Sequence, residues 1–131
     1  MTKELIISIT IIILIFVGNF ATENYTKQSV EETSNNLSKL RDELIKDEEE
    51  IDYEFAKQKV DEIHNQWDLR YEKLAYYIEH NELEKVETQL TGLKAYIEND
   101  DSNEAIAELD KCVYLLGHIE QKSGFNLKNI F

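Results

Sequence analysis

Residues 5–21 read LIISITIIILIFVGNFA, a run that is apolar on every side of any helix it forms. Ser8 and Thr10 do not forbid burial in lipid, because their hydroxyls can bond back to carbonyls of the same helix. From Leu5 to Ala21 such a helix rises ~25 Å, the short end of what spans a hydrocarbon core. A cleaved secretory signal shares the basic start and apolar core, so cleavage chemistry must separate the two readings. A signal peptidase requires small residues at alternate positions, yet Asn19 lies two places before Ala21 and Phe20 two places after Gly18. No Cys lies near the run to support a lipoprotein signal. The pattern favours an uncleaved membrane anchor over residues 1–21. A buried core helix fits poorly, since a helix apolar all round needs a larger soluble core around it.

The flanking charges set an expected orientation. Lys3 and the terminal amine precede the run, and the next basic residue is Lys27. Positive charge holds its flank on the cytoplasmic side, so the N-terminus is expected in the cytoplasm and the rest of the chain outside it.

The remaining composition points to helices. The chain has 131 residues, no Pro, 4 Gly and 1 Cys, with 27 acidic against 14 basic residues and a formal charge of −13. A chain this short holds one modest core, which excludes a multidomain enzyme. The lack of Pro and scarcity of Gly remove the punctuation of sandwiches, barrels and phosphate-cradling loops. One Cys can make neither an intramolecular disulfide nor a multi-thiolate zinc site. The acidic excess repels phosphate backbones and no basic stripe offsets it, so no nucleic-acid partner is expected.

Beyond the anchor the hydrophobic periodicity is helical. Val30, Leu37, Leu44 and Ile51 fall at intervals of seven, with Leu40 between them but Thr33 and Asp47 at the other intermediate positions. This thin stripe predicts an acidic stalk helix over residues 22–50 that continues from the membrane and packs against its neighbours. A bundle over residues 51–131 is expected to follow, with a helix from about Tyr53 to Glu79 burying Ala56, Val60, Ile63, Trp67, Leu74 and Ile78, and with Phe55, Tyr71 and Tyr77 broadening that face. Asn81 followed by Glu84 has the spacing of a helix cap, predicting a third helix that buries Leu83, Val86, Leu90, Leu93 and Ile97. Asp101 with Glu104 repeats that spacing ahead of a fourth helix. Ala105, Leu109, Cys112, Val113 and Leu116 are read as its inward face, with Gly117 as its end. Gly124, Phe125, Leu127, Ile130 and Phe131 form an apolar tail expected to dock on the bundle. The expected fold is all-α: an N-terminal transmembrane helix followed by a small antiparallel bundle of three to four helices. Glu54-Phe55-Ala56 and Glu104-Ala105 share helix-start chemistry, but their separation does not match a common helical repeat.

No constellation in the sequence carries catalysis, and no catalytic, cofactor or metal residue is assigned. Asp61, His64 and Asp68 share one helix face, but a ferritin-like site repeats Glu-x-x-His and adds facing Glu residues, so a solvated face is the preferred reading. His80 stands at a turn beside Glu79 and Glu82, and His118 follows Gly117, neither with a ligand set around it. Cys112 falls on the core face, where a thiol acts as a small hydrophobe. Trp67, Tyr71, Tyr76 and Tyr77 are read as core packing with an aromatic rim, and Tyr76 falls off the apolar stripe. The acidic run Asp47 to Glu50, with Asp52 and Glu54 beyond it, reads as a solvated turn, since consecutive carboxylates on a helix do not converge.

Several strings in fixed order resemble a known family: Asp52-Tyr53-Glu54-Phe55-Ala56, Trp67, Tyr77-Ile78-Glu79-His80-Asn81-Glu82-Leu83, Leu93-Lys94-Ala95-Tyr96-Ile97 and Leu127-Lys128-Asn129-Ile130-Phe131. The chain resembles the bacterial family named domain of unknown function 4363 over nearly its whole length. The resemblance implies a single-pass membrane protein of Gram-positive bacteria with a helical extracytoplasmic part, and aligns His80 with the family's turn histidine. It carries over no activity, cofactor or catalytic residue. The function expected is a non-enzymatic, membrane-tethered interaction module with a protein partner or a second copy of itself. The alternative is a ligand or cation sensor using Trp67, Tyr71 and His80 or the acidic turn.

Overall fold

The computed structural model describes residues 1–130, with side chains described through Lys122. Four helices make up the fold: α1 (Thr2–Leu44), α2 (Tyr53–Leu74), α3 (His80–Glu98) and α4 (Ser102–Ile130), with one 3-10 turn at Glu48–Glu50. No strand occurs among the described residues.

α1 is one helix with two environments. No Pro interrupts its 43 residues, so its backbone hydrogen bonds can run unbroken from end to end. From Leu5 to Phe20 its large apolar side chains stand exposed, and this stretch is long and apolar enough to cross a membrane. From Thr26 the same helix turns inward: Thr26, Ser29, Val30, Thr33, Leu37, Leu40 and Leu44 are buried at helical spacing. The segment read as a stalk over residues 22–50 is therefore also a wall of the core. Thr26, Ser29 and Thr33 conceal this in the sequence, because small hydroxyl residues can pack against a neighbouring helix yet score as polar.

Each helix packs on two neighbours, α1 on α2 and α4, and α3 on α2 and α4. Short connections make successive helices antiparallel, giving an up-down-up-down four-helix bundle. Ala56, Val60, Ile63, Trp67 and Leu74 of α2 are buried as expected, as are Leu83, Val86, Leu90, Leu93 and Ile97 of α3. On α4 the inward face is Ala105, Leu109, Cys112, Leu116 and Ile119, while Val113 points outward. Val113 is adjacent to Cys112, and the helical turn carries it off the buried stripe.

Helix ends follow local chemistry. Asp52 Oδ1 accepts from the Phe55 amide at 3.0 Å and Asp101 Oδ1 from the Glu104 amide at 3.2 Å, capping α2 and α4. α2 ends earlier than expected, at Leu74, whose carbonyl accepts from the Tyr77 and Ile78 amides in a tight turn. Asn81 is not a cap: the Glu79 carbonyl accepts from the Glu82 and Leu83 amides, so the helix has already begun at His80. Gly117 does not end α4, which continues through it, since a glycine inside a packed helix costs only ~1 kcal/mol. α3 closes with Asp100 at φ 56, where the Asp101 amide reaches back to the Tyr96 carbonyl and the Asp100 amide to that of Ile97. The docking expected of Gly124, Phe125, Leu127, Ile130 and Phe131 lies outside the residues whose side chains are described.

The core role of α1 predicts a specific mutational contrast. Leu37→Ala should destabilise the bundle by about 2–5 kcal/mol, whereas Leu69→Ala, on a side chain 75% exposed, should stay within about 0.5 kcal/mol. Denaturant titration of the detergent-solubilised chain followed by circular dichroism reads both; equal, negligible effects would make this segment a free stalk.

Candidate functional site

The α2–α3 seam gathers the most chemically capable side chains. Antiparallel packing runs His64, Asp68 and Tyr71 of α2 against His80, Glu84 and Glu87 of α3. His64 Nε2 lies 2.5 Å from Glu87 Oε1, and His80 Nε2 lies 2.8 Å from Glu84 Oε1. Tyr71 Oη sits 2.9 Å from His80 Nδ1, with the two rings edge to face at 5.9 Å. Each imidazole thus has a carboxylate beside Nε2, and His80 is further oriented through its other nitrogen. Burial pushes the Tyr71 phenol above its ordinary range, and Glu84 and Glu87 push it the same way.

His64 does not stand between Asp61 and Asp68. Asp61 Oδ1 instead pairs with Lys94 of α3 at 2.9 Å, leaving His64 to meet Glu87. Sequence spacing finds i, i+4 partners on one helix, and Glu87 lies 23 residues away on another. His64, Asp68 and Glu87 each offer a ligand atom, and these atoms lie within 4.8 Å of one another. One imidazole nitrogen and two carboxylates suit a borderline divalent cation such as zinc, with a position left for solvent. Such an ion would have to take the place of the His64–Glu87 hydrogen bond.

The aromatic group divides rather than forming one pocket. Trp67 is fully buried at the bundle centre, Tyr71 is half-buried on the seam, and Tyr76 is 90% exposed. Tyr77 joins α1, its Oη 3.0 Å from Thr26 Oγ1. Within the acidic turn, Glu48 is already engaged: its oxygens accept from Tyr53 Oη at 2.7 Å and Ser102 Oγ at 3.0 Å.

The α3–α4 side holds a shallow groove of about 400 Å³ lined by Asn81, Glu84, Lys85, Thr88, Gln89 and Leu115. Beside it, buried Glu82 reaches Lys122 at 3.3 Å and Lys85 at 3.7 Å. Burial opposes ionisation of Glu82, but Lys122, Lys85 and His118 outweigh it and hold the carboxyl below its usual range. Lys122 also neighbours Glu79, which ties α4 to the start of α3.

Residues 20–130 match the family Domain of unknown function (DUF4363), and the chain belongs to it. That span takes in the whole bundle and omits most of the apolar run. No curated protein and no solved structure matches the chain.

Cys112 offers a direct check on the core. Burial pushes its thiol up to about 12, so the reactive thiolate is scarce at any ordinary pH. Alkylation of the folded chain at pH 8.5 should be negligible and should become complete in denaturant, as read by intact mass. Rapid modification of the folded protein would place Cys112 outside the core.

Proposed function

We propose that this chain is a membrane-tethered, non-enzymatic interaction module that presents its acidic helical bundle to a protein partner or a second copy at the extracytoplasmic surface. The observation that carries this reading is α1 itself, whose exposed apolar half runs without a break into a helix buried in the bundle. A module built this way cannot tumble freely relative to its anchor, so its flanks keep fixed directions. Lys3 and the terminal amine, against the first later basic residue Lys27, support an N-terminus in the cytoplasm. The buried, neutral Cys112 is unsuited to nucleophilic attack, which supports binding rather than catalysis.

Large apolar side chains left exposed on the flanks supply contact points: Phe55 and Leu69 on α2, and Val113 and Tyr114 on α4. Photo-crosslinking residues placed at Leu69 and Tyr114 in intact membranes, at native expression, should yield one defined adduct, either a dimer or a single partner. Recovery of monomer alone from both positions would sink the interaction reading.

A second reading, a cation-responsive domain, draws on the convergence of His64, Asp68 and Glu87. Calorimetric titration of the full chain with zinc should then give a binding isotherm that Glu87→Gln abolishes. Absence of heat, together with an unchanged melting temperature, eliminates it.

A further inference from the structure

The α2–α3 turn places a large amphipathic side chain at one definite height along α1. The turn spans residues 75–79, and Tyr77 Oη lies 3.0 Å from Thr26 Oγ1. One helical turn earlier on α2, Lys73 Nζ stands 5.5 Å from the centre of the Tyr25 ring. The turn is therefore level with Tyr25 and Thr26. Thr26 lies five residues beyond Ala21, the last residue of the apolar run, or about 7.5 Å along the helix. The polar headgroup layer of one leaflet is itself about 5–8 Å deep. If α1 spans the membrane, the turn arrives at the headgroups.

What the turn presents there is Tyr76, 90% exposed and next to Tyr77, whose ring is only partly covered. The Tyr77 and Ile78 amides donate to the Leu74 carbonyl and fix the turn's backbone, so Tyr76 leaves the bundle from a set point. Tyrosine combines an apolar ring with a polar tip, and tyrosines are enriched at membrane–water interfaces for that reason. Charges of both signs flank these residues: Glu72, Lys73 and Glu79 border the turn, Glu23 and Lys27 border Tyr25 and Thr26, and Lys122 Nζ lies 4.0 Å from Glu79. This mixture gives no strong attraction to anionic lipid, and points to interfacial polarity as what the turn recognises.

We propose that the α2–α3 turn, led by Tyr76, seats in the headgroup layer and gives the bundle a second membrane contact beside α1. The inference rests on the tethered reading above. Joined rigidly to α1, the bundle still leans with it as one body where the helix leaves the bilayer, and a second, off-axis contact fixes the direction of that lean. Interfacial aromatic anchors set tilt and rotation in this way. The seat thereby decides which flank of the bundle faces along the membrane and which faces away from it.

The test uses the full chain in phosphatidylcholine vesicles, with an environment-sensitive fluorophore on Tyr76→Cys or, as a control at the far end of the bundle, on Asp101→Cys. Cys112 stays unlabelled because it is buried and protonated. Both sites are at least partly open to solvent, and circular dichroism confirms that the labelled chains keep their helices. The expected result is a blue-shifted emission at position 76, quenched by nitroxides carried at the headgroup end of the lipid, with neither effect at position 101. Chains that float with the vesicles but show the same unquenched emission at both positions overturn the seat and leave the tether standing. Chains that fail to float overturn the tether and the seat together. Shielding of position 76 that persists in detergent and vanishes on dilution assigns Tyr76 to contact between copies, which also overturns the seat.

Discussion

The structure depends on the continuity of α1. One unbroken ladder of backbone hydrogen bonds joins an exposed apolar segment to a segment that closes the core of the bundle. The run from Leu5 to Phe20 exposes its large apolar side chains and is long and apolar enough to cross a membrane. The buried stripe from Thr26 to Leu44 is equally demanding, because Leu37, Leu40 and Leu44 are sealed in by the other helices. Neither half can move without the other, so the apolar run and the bundle keep one fixed relation.

The bundle changes character along its length. At the end near the apolar run, α1 contributes Thr26, Ser29 and Thr33, and α2 and the turn after it answer with polar groups: Tyr77 meets Thr26, and Arg70 bonds Ser29 at 2.9 Å and also pairs with Glu32. Toward the far end leucines take over, and the loops there are tied by Glu43, which accepts from the Asp52 amide at 2.7 Å and from Lys46 at 2.6 Å. The hydrogen bond from Lys46, reinforced by the Asp52 amide, holds the Glu43 carboxyl below its usual range. Tyr53 links the two distal connections, its hydroxyl shared between Glu48 and the Asp100 carbonyl. Directional contacts thus set helix register at both ends, while the apolar middle supplies the cohesion. Polar contacts suit the register role because they have preferred partners, whereas leucines tolerate small shifts.

Much of this was legible in the sequence, and the exceptions have two causes. The inward faces of α2 and α3 followed from three-four spacing alone, since these helices bury one clean apolar stripe each. The caps at Asp52 and Asp101 are short-range chemistry visible over four residues. What escaped were features fixed by a partner distant in sequence. On α1 the stripe of Val30, Leu37, Leu40 and Leu44 was legible, whereas the burial of Thr26, Ser29 and Thr33 was masked because small hydroxyl residues score as polar. Glu87 was not recognised as the partner of His64, because it arrives from α3 while Asp61 turns to Lys94. Asn81 and Gly117 misled for a simpler reason: each has strong local meaning at a helix end, but the Glu79 carbonyl opens α3 ahead of Asn81 and α4 continues through Gly117.

The account is tested most directly at the junction between the two halves of α1. Single spin labels placed in turn from Ala21 to Thr33, in full-length protein reconstituted into bilayers, report side-chain mobility and contact with lipid-soluble oxygen. An unbroken helix predicts accessibility that oscillates about every 3.6 residues through the whole stretch while its mean passes from lipid-exposed to buried. Uniformly high mobility over residues 21–25, with the oscillation lost, would reveal a hinge and separate the anchor from the bundle that it is held to position.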